Sequence, residues 1–217
     1  PQWDYAITTE LSNPAPTFPL DQGVLSTVTD CDECTEVLQL GFAFPFYDEM
    51  VNEITVTSNG LVYMGTGQYS SGCCSGWSLP SSQGPSIHLA HSDLHSGTHG
   101  DVRYHTVGTE PNRTFVLSFE DVALFGNAST QVDGQLLLHE ADGRIELYHG
   151  GVPSGSSFTM GINAGDGVRA SYDPAFHQTS STSPAHFEWE PIIDGYQSGP
   201  NGWPYSWTGD TTGTYLY

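Results

Sequence analysis

The side chains best suited to chemistry concentrate in one stretch, where His88, His91, His95, His99 and His105 alternate with Asp93 and Asp101. Imidazole nitrogen with carboxylate oxygen is a donor set for zinc, copper or nickel. Along a regular strand alternate residues share a face, so His91, Asp93 and His95 point one way and His88 the other. Ligands two residues apart stand about 7 Å from one another, which is wide for one ion unless the chain bends. His91, Asp93 and His95 are the candidate transition-metal ligands, set against the plainer reading of a solvated polar face. Because histidine changes charge between roughly pH 5 and 8, pH-dependent assembly is a further expectation. Hard oxygen donors for Ca2+ occur as Asp30, Asp32, Glu33 and Glu36 in TDCDECTE and as Asn163 and Asp166 in NAGDG. Neither spacing is that of an EF-hand loop, and turn chemistry accounts for Asn and Asp beside Gly equally well.

Four cysteines form two close pairs, Cys31 with Cys34 and Cys73 with Cys74. In a lysine-free chain rich in Asn, Ser, Thr and Gly they read as disulfides of an oxidising compartment. Three pairings are open: a bond within each pair, or either of two sets of cross-links between the pairs. A four-thiolate zinc site is the alternative, made awkward by the adjacency of Cys73 and Cys74. No Gly-x-Ser-x-Gly elbow or His-Glu-x-x-His motif is present, so the chain is expected not to be an enzyme. Asn112-Arg113-Thr114 and Asn127-Ala128-Ser129 fit the N-glycosylation pattern. Trp203, Tyr205 and Trp207 are candidates to stack on a glycan or a partner surface, or to cover the domain's own edge.

The elements that must position these groups are short strands. EVLQLGFAFPFYDEM alternates apolar and polar residues through Val37 to Phe46, and EITVTSNGLVYMGTG is a hairpin about Asn59-Gly60. Further strands are expected in IHLAHSDL, DVRYHTVG, RTFVLSFEDVALF, GQLLLHEADGRIELYHG and SFTMGINAG, with Asp142-Gly143 as a second hairpin turn. YSSGCCSGWSLPSSQGPS holds too much Gly, Ser and Pro for regular structure, and the alternation fades beyond Ser171. The spacing predicts an all-β, β-sandwich-like single domain with long Gly/Ser/Pro-rich loops. Its expected parts are an extended arm or edge strand over 1–30, the β domain over 31–196, and an aromatic, Gly-rich tail over 197–217 with a last strand at 212–217.

The formal charge of −21 arises from 25 acidic residues against four arginines. So negative a surface excludes nucleic acid and anionic membranes as partners. No run is long and apolar enough to span a bilayer, and with Pro1 first the chain reads as a processed or excised soluble segment.

In order along the chain, LGFAFPFYDEMVNEITVTSNGLVYMGTG, SSGCCSGWSLP, IHLAHSDLHSGTHGDVRYHTVGTEPNRTFVLSFEDV, QLLLHEADGRIELYHG and FTMGINAGDG resemble the nidogen-like domains of bacterial surface and secreted proteins. The resemblance covers roughly residues 36–170 and continues more weakly to about 196. His91-Ser92-Asp93-Leu94 departs from it where the family carries an aromatic before Asp-Leu. The resemblance implies a β-sandwich outside the cell and no shared catalytic residues. The function expected is an extracellular structural or adhesive module, assembling with itself by strand addition from the arm (1–20) or the tail (208–217), or binding another surface protein or a glycan. Alternatives are a secreted binder of Zn2+, Cu2+ or Ca2+ and a carbohydrate-binding module.

Overall fold

The computed structural model describes residues 3–12, 14–152, 157–180 and 182–193. Among them the strands run β1 (Trp3–Glu10), β2 (Val24–Leu25), β3 (Thr35–Phe46), β4 (Glu49–Thr57), β5 (Leu61–Met64), β6 (Ser86–His91), β7 (Asp101–Val107), β8 (Thr114–Leu124), β9 (Asn127–His139), β10 (Ile145–His149), β11 (Thr159–Asn163), β12 (Ala170–Ser171) and β13 (Ala185–Ile193), with a 3-10 turn at Pro174–Phe176. They form two antiparallel sheets. The larger has the order β1-β13-β10-β9-β8-β7-β2, and the smaller β12-β11-β6-β5-β4-β3. The β-sandwich expected from the sequence is the observed architecture.

Period-2 alternation builds the core between the sheets. Leu38, Leu40, Phe42, Phe44 and Phe46 of β3 meet Phe115, Leu117 and Phe119 of β8, Leu136 and Leu138 of β9, and Phe187 and Trp189 of β13, all buried. At roughly 1.5–3 kcal/mol per fully buried large apolar side chain, this face outweighs any single polar contact described below.

Residues 3–30 belong to this body. β1 pairs with β13 without a register break from Trp3↔Ile193 to Glu10↔His186, and β2 pairs with β7. The intervening segment crosses the outer face of the larger sheet. There the Gln135 side chain accepts the Phe18 N–H at 2.9 Å and donates to the Phe18 carbonyl at 2.9 Å, as a strand neighbour would. β13 lies in the stretch where the alternation fades: Ala185, Phe187 and Trp189 face inward, while Pro191 and the polar His186, Glu188 and Glu190 mask the pattern. The 197–217 tail, with Trp203, Tyr205, Trp207 and the strand expected at 212–217, lies outside the described residues.

The sheets approach most closely where Leu89 of β6 packs on Gly134 of β9. A Cβ on Gly134 would stand 2.3 Å from Leu89 Cδ2. This contact sets the depth of β6, the strand that carries the histidines. Gly134→Val is expected to cost about 1–3 kcal/mol by overpacking, read as a lower urea midpoint at unchanged m-value.

Candidate functional site

The functional side chains converge on the outer face of the smaller sheet, beneath the Cys-rich loop at 65–85. That loop has no regular structure, as expected, yet it is packed. Trp77 lies edge-on to the His91 ring at 5.1 Å, Tyr69 stacks on Tyr63 at 4.0 Å, and the Leu79 N–H donates to His177 Nε2 at 2.9 Å. Asn163 fastens its far end, accepting from Ser81 N and donating to the carbonyls of Ser81 and Gly84.

The expected sharing of one face by His91, Asp93 and His95 is corrected because β6 ends at His91, and the expected opposition of His88 and His91 is corrected by a β-bulge. Thr159 pairs with His91 and Gly161 with His88, so two residues of β6 oppose one of β11, and Ala90 takes φ +53°. The extra residue turns His91 onto the face of His88, and both are fully buried. Asp93 and His95 lie beyond the end of β6. The His95 ring stacks on Phe125 at 5.8 Å, and its Nδ1 bonds with Thr98 Oγ1. Elsewhere in the histidine stretch, His99 Nδ1 donates to the Asp121 carbonyl, and His105 stands edge-on to Phe18.

His88 and His91 form a hydrogen-bonded chain whose protons can be placed. A carbonyl only accepts, so His91 Nε2 donates to Gly72 O at 2.7 Å. In the neutral ring His91 Nδ1 then accepts from His88 Nδ1 at 2.9 Å, and His88 Nε2 accepts from Ser86 Oγ at 3.1 Å. Burial holds His88 well below the ordinary imidazole value, helped by the neighbouring His91 and His177. Burial also pushes His91 down to about 4, against the opposing effect of the Gly72 carbonyl. Such neutral, doubly bonded rings tie the loop to the strand.

The cysteines bond within each pair, Cys31–Cys34 and Cys73–Cys74, which decides among the three pairings. Around them Asn59 joins three separate segments. This buried side chain accepts the Leu94 N–H at 2.8 Å and donates to Ser71 O at 3.2 Å and Glu33 Oε1 at 3.3 Å. Gly60 alone takes the left-handed conformation of the turn, φ +70°, so Asn59 serves as a cross-link rather than as a positive-φ turn residue. The Glu33 carboxylate also accepts from Ser71 Oγ. Glu33, Cys73, Cys74 and Asp93 thereby present one donor atom each within 4.8 Å of one another.

Of the oxygen donors proposed for Ca2+, Glu33 enters this cluster, while Asp30 and Asp32 lie exposed beside it and form no three-residue donor group among the described residues. Glu36 instead accepts from Ser26 Oγ and Thr27 N. Asp166 is held by Arg169, and Asn163 is occupied by the loop. Asn112 and Asn127 both lie exposed, in the β7–β8 turn and at the start of β9.

Sequence reasoning missed a second polar cluster on the outer face of the larger sheet. Glu146, 8% exposed, is flanked by His139 Nε2 at 2.9 Å, His186 Nε2 at 3.2 Å and Arg144. Desolvation raises its carboxyl, but the histidine hydrogen bonds and Arg144 prevail and hold it below the ordinary range. The outward positions of RIELYH carry the signal, because Arg144, Glu146 and Tyr148 share one face of β10.

Fold and site together define a disulfide-bonded β-sandwich whose outer faces are each partly covered by irregular chain. The family described as NIDO related matches residues 4–191, and the chain belongs to that family. The match takes in β1 and nearly all of β13, beyond the segment whose motifs carried the resemblance. No curated protein and no solved structure matches. Among the described residues no helix is long and apolar enough to cross a membrane.

Asn59→Ala leaves the Leu94 amide without its partner, and a buried orphan of this kind costs about 1–3 kcal/mol. Chemical denaturation is expected to show that loss, and proteolysis to show faster cleavage in the 65–85 loop. His91 and His149, the latter also pushed down to about 4 by burial, titrate near 6.5 in the unfolded chain. Each therefore takes up a proton on unfolding between those values, and stability falls as pH drops from about 6.5 to 4, by roughly 1.4 kcal/mol per unit per group. Urea midpoints across that range are expected to show a shallower slope for His149→Gln than for the parent.

Proposed function

We propose that the chain is a non-catalytic, extracellular structural or adhesive module that joins a second copy of itself by strand addition at the edge of β1 that has no strand neighbour among the described residues. Membership of the nidogen-like family supports the extracellular setting, and the two disulfides agree with an oxidising one. The observation that carries the joining mode is the contrast among the sheet edges. β2 and β12 have two residues each. β3 is long, but its register shifts between Gln39 and Phe44, and its Leu40 and Gly41 carbonyls already accept from Thr106 Oγ1 and Arg113 Nη1.

β1 offers eight residues in unbroken register. Pro191 has no N–H to exchange with Tyr5, whose own N–H is taken by the Asp4 side chain. The backbone groups of Tyr5, Ile7 and Thr9 therefore point to the free edge, while those of Ala6 and Thr8 bond to β13. Such an edge is a template for an incoming strand. With β1 already paired inside its own chain, the 208–217 segment of another copy is the donor. Acidic Asp4 and Glu10 at the ends of β1, within so negative a protein, make the joint favoured by salt.

Thr9→Pro removes an outward amide without touching the β13 ladder. In size-exclusion chromatography and electron microscopy, Thr9→Pro and a chain ending at residue 196 are both expected to stay monomeric with a parental circular dichroism spectrum, where the parent assembles. Unchanged assembly of Thr9→Pro would remove β1 as the joint.

A further inference from the structure

We infer that the Cys73–Cys74 disulfide masks a zinc-type metal site, which reduction opens and which Glu33 and Asp93 complete. The inference rests on the convergence of four donors from three segments, two sulfurs and two carboxylates, all within 4.8 Å of one another. Tetrahedral zinc with Zn–S about 2.3 Å and Zn–O about 2.1 Å has ligand–ligand separations of about 3.4–3.8 Å. Once the disulfide is broken, the two sulfurs part from bonding distance to about 3.8 Å, within the span the four donors already occupy. A shared bond already turns the adjacent sulfurs the same way, and Glu33 is held toward them by Asn59 and Ser71.

The charge around the cluster leaves room for a cation. Arg103 pairs with Asp101, Arg113 with Glu140, Arg144 with Asp142, Glu146 and Glu188, and Arg169 with Asp48 and Asp166. The described arginine ion pairs all run to other carboxylates than Glu33, Asp32 and Asp93. Glu33 and Asp93 bring carboxylate oxygens within 4.8 Å of one another, and a bound dication relieves their repulsion. Two thiolates select a borderline ion such as Zn2+ or Co2+ over Ca2+ or Mg2+.

Cys73 and Cys74 are exposed, whereas Cys31 and Cys34 are half-buried, so a reductant reaches the vicinal bond more readily. A dithiol reductant attacks one sulfur, and the Cys73–Cys74 bond breaks with its electron pair on the other, which takes a proton. The second thiol of the reductant then displaces the first cysteine and leaves as part of a cyclic disulfide. Two electrons and two protons pass to the protein, and Zn2+ binding releases those two thiol protons to solvent. Exchange with a disulfide oxidant, which leaves as the dithiol, reverses the sequence and expels the ion.

The test adds Co2+ to the full chain before and after reduction by a phosphine, which does not compete as a thiol and becomes its oxide by taking oxygen from water. Reduced protein is expected to bind one Co2+ with thiolate-to-cobalt charge-transfer absorption, and oxidised protein to show none. The absorption is expected to persist in reduced Cys31→Ser/Cys34→Ser and to vanish in Cys73→Ser/Cys74→Ser. Glu33→Gln and Asp93→Asn, both surface changes, are each expected to weaken Co2+ at least the roughly tenfold that loss of an outer-shell partner costs. Absence of the band in reduced protein overturns the inference. So does its loss in Cys31→Ser/Cys34→Ser, which would mean a four-thiolate site, and so does unchanged affinity in both carboxylate variants.

Discussion

The site depends on the side-chain amide of Asn59. It sits at the tip of the β4–β5 hairpin, and its three hydrogen bonds run to residues that are neighbours in neither sequence nor sheet: Leu94 after β6, Ser71 in the Cys-rich loop and Glu33 in the Cys31–Cys34 loop. A buried amide left without partners is costly, so the three segments can move only together or at that cost. The His91 bond to Gly72 O adds a fourth tie from the strand beneath. The vicinal cysteines therefore sit in a loop that lacks regular structure but has a defined position.

The same logic governs the whole sandwich. A sheet packed on one side leaves its other face to water, and here part of each outer face is covered by irregular chain anchored through side chains that imitate a strand's backbone. Gln135 does this for Phe18, and Asn163 for Ser81 and Gly84. Buried polar groups are thereby satisfied where no strand is available. The few arginines follow a comparable rule: each one is clamped between carboxylates or against one, and Arg113 and Arg169 also lie over the rings of Phe42 and Tyr47.

Strand by strand, legibility followed periodicity. β3 to β11 were readable from apolar alternation or short apolar runs between turn residues, and Gly60 and Gly143 mark two of the hairpins with positive φ. β13 was hidden by Pro191 and by the polar residues of a half-exposed strand. The histidine geometry was not readable, because a single inserted residue at Ala90 reverses every facing beyond it. Disulfide pairing was left open, since adjacency in sequence does not fix which sulfurs meet. Asn59 looked like turn chemistry because its partners lie far away in the chain, and nothing local announces them.

The pairing of β1 with β13 carries a consequence for how the molecule comes into being. Among the described residues β1 has its ladder with the last strand, so a chain emerging residue by residue holds β1 without that partner until β13 has been made. Closing so long a loop comes late, after the local hairpins have formed. The strap over the larger sheet, which hangs from β1, must likewise wait for Gln135. A polypeptide built this way cannot complete its larger sheet before β13 has been made, so its sandwich closes from strands far apart in the chain.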